Sequence, residues 1–254
     1  MVTWLLDCDG VVWLADEVIP GAPEAVAMLR SRGTRVVFLT NNSYPRLSDH
    51  MAKLARLGMA TAPEDLLSSS MATATLLKPG ERALVLGGPG VLEQLEARGV
   101  TVLRPKGEDP GSVDVVVVGM DPSFDYQSLS AATRALHGGA RLVATNDDAT
   151  FPSPGAVLPG AGSLVAAVAR AGQSEPTIAG KPYWPTVELV RDKIGAVEMV
   201  VGDRPSTDGL LARQLEVRFG LVLTGVTPPG HGPLDPEPAI EGQNLLDLVR
   251  REVG

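Results

Sequence analysis

One cysteine, three histidines and no surplus of basic residues remove several chemistries before any motif is read. Cys8, standing alone, excludes an intrachain disulfide framework and fits a reducing compartment. No apolar run approaches the roughly 18 residues of a membrane span, so no transmembrane helix is expected. No basic segment precedes an apolar stretch at the N-terminus, so no secretory signal and a cytoplasmic location are expected. Lysine and arginine number 22 against 30 aspartate and glutamate, a formal net charge of −8. That balance argues against nucleic-acid binding, which needs basic surface to displace counterions. A small anionic ligand stays compatible with it, provided a local site supplies positive charge.

What the chain has is apolar content: 44% of its 254 residues are hydrophobic, enough for a large core or a core with a smaller insert. Four short apolar runs read as buried strands that end in polar residues: TWLL before Asp7, RVVFL before Thr40, TIA before Gly180 and EMVV before Gly202. PGAPEAVAMLRSRG, with Pro23 near its start and Gly33 at its end, reads as a helix, and so does PTVELVRDKIG. Strands alternating with helices predict an α/β fold with a parallel sheet covered on both faces. The middle of the chain repeats the theme. RALVLGG, DVVVVGM and ARLVAT read as strands, with GVLEQLEARG and YQSLSAATRALHGG as helices. Lys78-Pro79-Gly80 and Gly172 to Pro176 are the expected boundaries of a domain inserted within a domain: 1–78 and 177–254 form the core, 79–176 the insert. The 28 glycines and 21 prolines fall at element ends, and Thr227 to Pro238 reads as a surface loop.

In open parallel sheets ligands bind beyond the carboxyl ends of the strands. Those ends carry Asp7-Cys8-Asp9-Gly10, Thr40-Asn41-Asn42-Ser43, Gly180-Lys181-Pro182 and Gly202-Asp203-Arg204, with Asp208 shortly after. Side chains two apart on a strand share a face, so continued extended geometry turns Asp7 and Asp9 the same way, with Cys8 as spacer. Clustered carboxylates without partner cysteines or a histidine pair suit a hard cation, and magnesium fits best because it accepts carboxylates, waters and phosphate oxygens. Such a metal keeps Asp7 ionised, and an aspartate nucleophile forming a phosphoryl intermediate is known chemistry. Asp9 would then serve as acid and base. Lys181, Thr40 and backbone N–H groups would stabilise the phosphoryl oxygens.

DCDGVVW, FLTNNS, AGKP and VGDRPSTDG resemble, in order and spacing, the four motifs of the haloacid-dehalogenase superfamily. GMDPSFDYQSL, ATNDDATFP and LPGAGSL resemble cap segments of its NagD-like, 4-nitrophenylphosphatase and phosphoglycolate phosphatase branch. The resemblance spans nearly the whole chain. It implies a Rossmann-like core with an α/β cap inserted between the second and third motifs, and a Mg2+-dependent phosphatase acting through an aspartyl-phosphate. On that resemblance Asp7 is the nucleophile and Asp9 the general acid/base. Thr40, Asn41 and Asn42 bind the phosphoryl group, while Lys181 neutralises it and orients Asp7. Asp203 holds the metal with the Asp7 carboxylate and the Asp9 backbone carbonyl, and Asp208 acts through water or from behind the direct ligands. Thr145, Asn146 and Asp147 fall in the specificity region of the cap. Gly209 departs from the pattern, since the branch often carries an apolar residue there. Expected partners are small phosphorylated metabolites such as phosphoglycolate, glycerol phosphate or a sugar phosphate, and a homodimer through the cap is compatible with the family. A phosphotransferase or mutase, or a non-catalytic phosphometabolite sensor, are the alternatives.

Other signals are read as structural. GGPGVLEQL lacks the third glycine of a dinucleotide fingerprint, and AGKP lacks the spacing of a phosphate-binding Walker loop. Cys8 has no arginine within its turn and reads as buried filler. Trp13, Phe38 and Phe151 are expected in the core; His50, His137 and His231 are expected on the surface or in loops.

Overall fold

A computed structural model describes residues 2–105, 111–153 and 156–253. The chain divides into two compact units, Met1–Thr40 with Ser48–Leu67 and Val187–Gly254, and Asn41–Leu47 with Ser68–Thr186. The first holds a six-stranded sheet in the order Ile240–Gly242, Arg218–Val222, Met199–Gly202, Thr3–Leu6, Arg35–Thr40, Leu66–Ser68. Pairing is parallel from Ile240–Gly242 across to Arg35–Thr40. All four residues of Thr3–Leu6 are buried, as a central parallel strand covered on both faces requires. Helix Ala22–Ser31 starts with Pro23 in its first turn and buries Ala22, Ala25, Val26 and Leu29. It packs against the last helix, Leu245–Val253.

The second unit has its own parallel sheet, ordered Thr177–Ile178, Arg141–Ala144, Val115–Val118, Arg82–Leu86, Thr101–Leu103. Strand alternation divides its core in two. Leu84, Leu86, Val116, Val118, Leu142 and Ala144 face helices Tyr126–His137 and Ala161–Gly172. Ala83, Val85, Val115, Val117 and Val143 face the other way, toward Val91 and Leu95 of helix Pro89–Ala97. The glycine turn before that helix is structural: the Gly90 N–H donates to the Tyr44 carbonyl at 2.9 Å, which caps the helix start.

Three local expectations change. The TIA run is an edge strand of the second sheet, because Thr177 and Ile178 pair with Val143 and Ala144. His50 is buried rather than superficial: helix Leu47–Arg56 turns His50 and Leu54, one helical turn apart, to the inside. Phe151 is 38% exposed, because it lies on a separate two-stranded hairpin, Thr150–Ser153 with Ala156–Pro159. Trp13 and Phe38 are buried as expected, and His137 and His231 lie at a helix end and in a loop. Among the described residues no helix is long and apolar enough to cross a membrane.

Helices Tyr126–His137 and Ala161–Gly172 approach closely because Gly172 has no side chain: a Cβ there would lie 2.2 Å from Leu136 Cδ1 and 3.0 Å from its Cβ. Gly172→Ala is therefore expected to lose about 1–3 kcal/mol of stability through overpacking, measured by urea unfolding. An unshifted unfolding midpoint would contradict that contact.

Candidate active site

Asp7 continues the central strand by one residue, its N–H donating to the Val201 carbonyl at 2.9 Å. Extended geometry stops there. The Cys8 carbonyl accepts N–H groups from Val11, Val12 and Trp13 at 3.3, 3.0 and 3.2 Å, which folds the chain into a turn. Strand alternation therefore does not place Asp9, and Cys8 is more than a spacer: it is fully buried and its carbonyl organises the loop. Gly10 sits at φ 82°, a left-handed conformation that favours glycine, and a Cβ there would lie 2.7 Å from Asp203 Oδ2. Asp9 is held from the side by the Trp13 indole, whose Nε1–H donates to Oδ1 at 2.9 Å.

Asp203 follows Met199–Gly202, the strand beside Thr3–Leu6. From Thr3–Leu6 the chain proceeds to Arg35–Thr40 on one side, and from Met199–Gly202 to Arg218–Val222 on the other. Connections that diverge in this way open a crevice at the carboxyl ends of the two central strands. Asp203 is buried, and its Oδ2 accepts the Val226 N–H at 2.5 Å. Its carbonyl accepts the Thr227 hydroxyl at 2.6 Å. Gly225 permits this closeness, since a Cβ there would fall 1.9 Å from Asp203 Oδ2. Asp208 is also buried, and its Oδ2 accepts from the Arg204 N–H and the Thr207 hydroxyl, each at 3.3 Å. Gly202 admits it, because a Cβ there would meet Asp208 Cγ at 2.1 Å.

One carboxylate oxygen each from Asp7, Asp203 and Asp208 lies within 4.8 Å of the others. Three acids this close, with Asp203 and Asp208 buried, repel one another, and a cation shared between them relieves that repulsion. An all-oxygen donor set fits a hard divalent ion such as magnesium. Asp9 stands outside this trio of side chains. Asp208, expected to act at one remove, brings its carboxylate into the cluster. Gly209, the departure from the family pattern, has a local cause: a Cβ there would lie 2.7 Å from Pro236 Cγ and 3.1 Å from Phe219 Cε1. The proline-rich loop occupies the space that an apolar side chain would take.

Thr40 ends the Arg35–Thr40 strand and is fully buried. The residues after it belong to the second unit, where Asn41 ties several segments together. Its Oδ1 accepts the Lys181 N–H at 2.8 Å, and its Nδ2 donates to the Lys181 carbonyl and to Asp148 Oδ2, both at 3.2 Å. The Asn41 carbonyl accepts from Asn146 Nδ2 at 2.8 Å and from the Ser69 hydroxyl at 2.7 Å. Thr145 Oγ1 accepts from the Ser43 hydroxyl at 2.9 Å, and Asn42 Oδ1 accepts the Tyr44 N–H at 3.1 Å. Lys181, Thr145 and Asn146 are buried, whereas Asp147 is exposed and accepts the Tyr183 hydroxyl. Burial pushes the Tyr183 hydroxyl up to about 12, helped by that hydrogen bond and by the charges of Asp147 and Asp148. At that value it stays protonated through the neutral range and keeps donating.

Sequence reasoning did not single out Gly225, Val226 or Tyr183. A signal for the first two was present: LTGVT follows Arg218–Val222, the strand next to Asp203.

Residues 4–101 match a family described as haloacid dehalogenase-like hydrolase, and residues 178–248 match a HAD-hydrolase-like family. A human glycerol-3-phosphate phosphatase is 38% identical over 258 residues, spanning 90% of this chain and 80% of the relative. Phosphoglycolate phosphatase 2 of Arabidopsis thaliana is 35% identical, spanning 89% and 83%. Among solved structures, a p-nitrophenyl phosphatase from Archaeoglobus fulgidus superposes with a TM-score of 0.87 at 26% identity over 98% of both chains. A glycerol phosphate phosphatase from Mycobacterium tuberculosis in complex with magnesium gives 0.87 at 31% identity, over 98% of this chain and 77% of that one. With its acids gathered where the connections of two central strands diverge and relatives matched along most of its length, the chain belongs to the haloacid dehalogenase-like hydrolases, among their phosphatases.

Proposed function

We propose that the chain is a Mg2+-dependent phosphomonoesterase working through an aspartyl-phosphate. The observation that carries this reading is the Asp7, Asp203 and Asp208 carboxylate trio at the carboxyl ends of the two central strands, with Asp9 two residues from Asp7. Asp7, Asp203 and Asp208 would hold the metal, which when bound offsets the charge of the acids and of the phosphate. Asp7 attacks phosphorus and the ester P–O bond breaks, while Asp9 gives its proton to the departing oxygen. A water then attacks the phosphoryl group and yields its proton to Asp9, releasing inorganic phosphate and restoring Asp7. Lys181, Thr40, Asn41 and Asn42 are assigned to the phosphoryl oxygens, a reading supported by the motif resemblance. Thr145, Asn146 and Asp147, within the inserted segment 79–176, are assigned to substrate selection. The same resemblance supports a homodimer through that segment.

Substrates are assigned to small anionic phosphomonoesters, with glycerol phosphate and phosphoglycolate first, because the relatives carry those names. A panel of phosphomonoesters assayed for inorganic phosphate tests this choice and separates hydrolysis from transfer to a second sugar. Asp7→Asn should lower phosphate release by about 10^3-fold or more with unaltered thermal unfolding. Turnover retained in that variant would remove Asp7 as nucleophile.

Metal dependence gives a second test. Chelation by EDTA should abolish turnover and added Mg2+ should restore it. In Gly225→Ala the new methyl group displaces the Asp203 carboxylate. The Mg2+ concentration for half-maximal activity should then rise by about 10- to 100-fold, as for changes next to a metal ligand. A Mg2+ titration that overlays the unsubstituted protein would refute the role of Asp203.

A further inference from the structure

Asp9 has two tasks in the proposed reaction, yet the sheet does not hold it. The ladder ends at Asp7, and the Cys8 carbonyl gathers the next N–H groups into a turn. A carboxyl group on such a loop can rotate away from the reacting oxygen unless something fixes its side chain. The Trp13 indole does so: Nε1–H donates to Asp9 Oδ1 at 2.9 Å, and the ring itself is 1% exposed. Trp13 is anchored in turn. Its backbone carbonyl accepts the Gly10 N–H at 2.7 Å, and it pairs with Val18 in a short antiparallel hairpin. On the face of the ring lies Lys53, its Nζ 4.4 Å from the ring centroid. Lys53 donates to the Ala15 carbonyl and lies 3.5 Å from Asp16 Oδ1, so the cation is tied to the same hairpin. A cation over an indole face is attracted by its π density and fixes the ring plane. It also draws electron density from the ring, which makes the N–H a better donor.

We infer that Trp13 is a positioning residue for Asp9, held in place by Lys53, and that it aims the carboxyl group at the leaving oxygen. With Oδ1 committed to the indole, Oδ2 is the oxygen that hands over the proton. This inference rests on the reading of Asp9 as general acid. It goes beyond that reading by assigning the control of its orientation to a tryptophan and a lysine 40 residues further on. A tryptophan that merely filled the core would affect folding and all substrates alike. One that aims the acid matters most where the leaving oxygen most needs its proton.

The test compares kcat/KM for 4-nitrophenyl phosphate, which expels a stable phenolate, with that for phenyl phosphate, whose leaving oxygen depends far more on protonation. Because kcat/KM reports the steps through transfer to Asp7, later water attack does not enter. Trp13→Phe keeps a buried ring and removes the N–H donor. The nitrophenyl-to-phenyl ratio should rise about 5- to 20-fold in Trp13→Phe, within the range of general acid catalysis. Asp9→Asn should raise it further. If Asp9→Asn leaves the ratio where it was, the general-acid reading itself fails. If Asp9→Asn raises it and a folded Trp13→Phe does not, the inference about Trp13 is overturned. Should thermal melting show Trp13→Phe unfolded, Lys53→Met decides: a ratio raised about 2- to 5-fold supports the device, and an unmoved ratio overturns it.

Discussion

Repulsion among three carboxylates is the constraint around which the first unit is organised. Oxygens of Asp7, Asp203 and Asp208 lie within 4.8 Å of one another. Two unit charges at that separation repel by roughly 3 kcal/mol at an effective dielectric of about 20, a cost that a shared cation relieves. Parallel pairing resists this by fixing the backbones that carry the acids. Leu6 is in register with Val201, and the Asp7 N–H bonds to the Val201 carbonyl, so Asp7 and Asp203 emerge side by side from two rigid strands. Moving the acids apart would mean breaking the central ladder.

The second device is the near-absence of side chains around the acids. Gly10, Gly202 and Gly225 each stand where a Cβ would collide with Asp203 or Asp208. Their omission lets backbone N–H groups approach the carboxylates, and the Val226 N–H reaches Asp203 Oδ2 at 2.5 Å. Hydrogen bonds of this kind favour the charged form of a carboxylate and leave its remaining lone pairs for a metal. The glycines thus serve electrostatics rather than flexibility, and their cost in chain entropy is accepted where the geometry allows no other residue.

The alternation of apolar runs with helices was enough to read the parallel α/β architecture, and the polar residues ending TWLL and EMVV identified the crevice. Both inferences rest on local patterns that the ladder then obeys. Features that depended on partners distant in sequence were not legible. TIA looks like any buried strand, and only pairing with Val143 and Ala144 puts it in the second sheet. Asn41 reads as a turn former, yet its amide bonds both the N–H and the carbonyl of Lys181, 140 residues away. His50 looked superficial as one of three histidines scattered along the sequence, and the inward face it shares with Leu54 shows only in three dimensions. Gly209 looked like an anomaly until Pro236 was found in the space beside it.

The spacing of Asp7 and Asp9 invited the simplest explanation, two side chains on one face of a strand, and the structure replaces it with two different supports. Asp7 sits on the ladder, and as the proposed nucleophile it gains from meeting phosphorus at one fixed position. Asp9 sits on a turn, held through one side-chain hydrogen bond from Trp13 rather than by the sheet. In the proposed reaction the incoming water takes the place the leaving oxygen vacates, opposite Asp7, so a carboxyl group pinned at one oxygen can serve both atoms with the other. Rigidity for the proposed nucleophile and a side-chain anchor for the proposed acid both follow from where the strand ends.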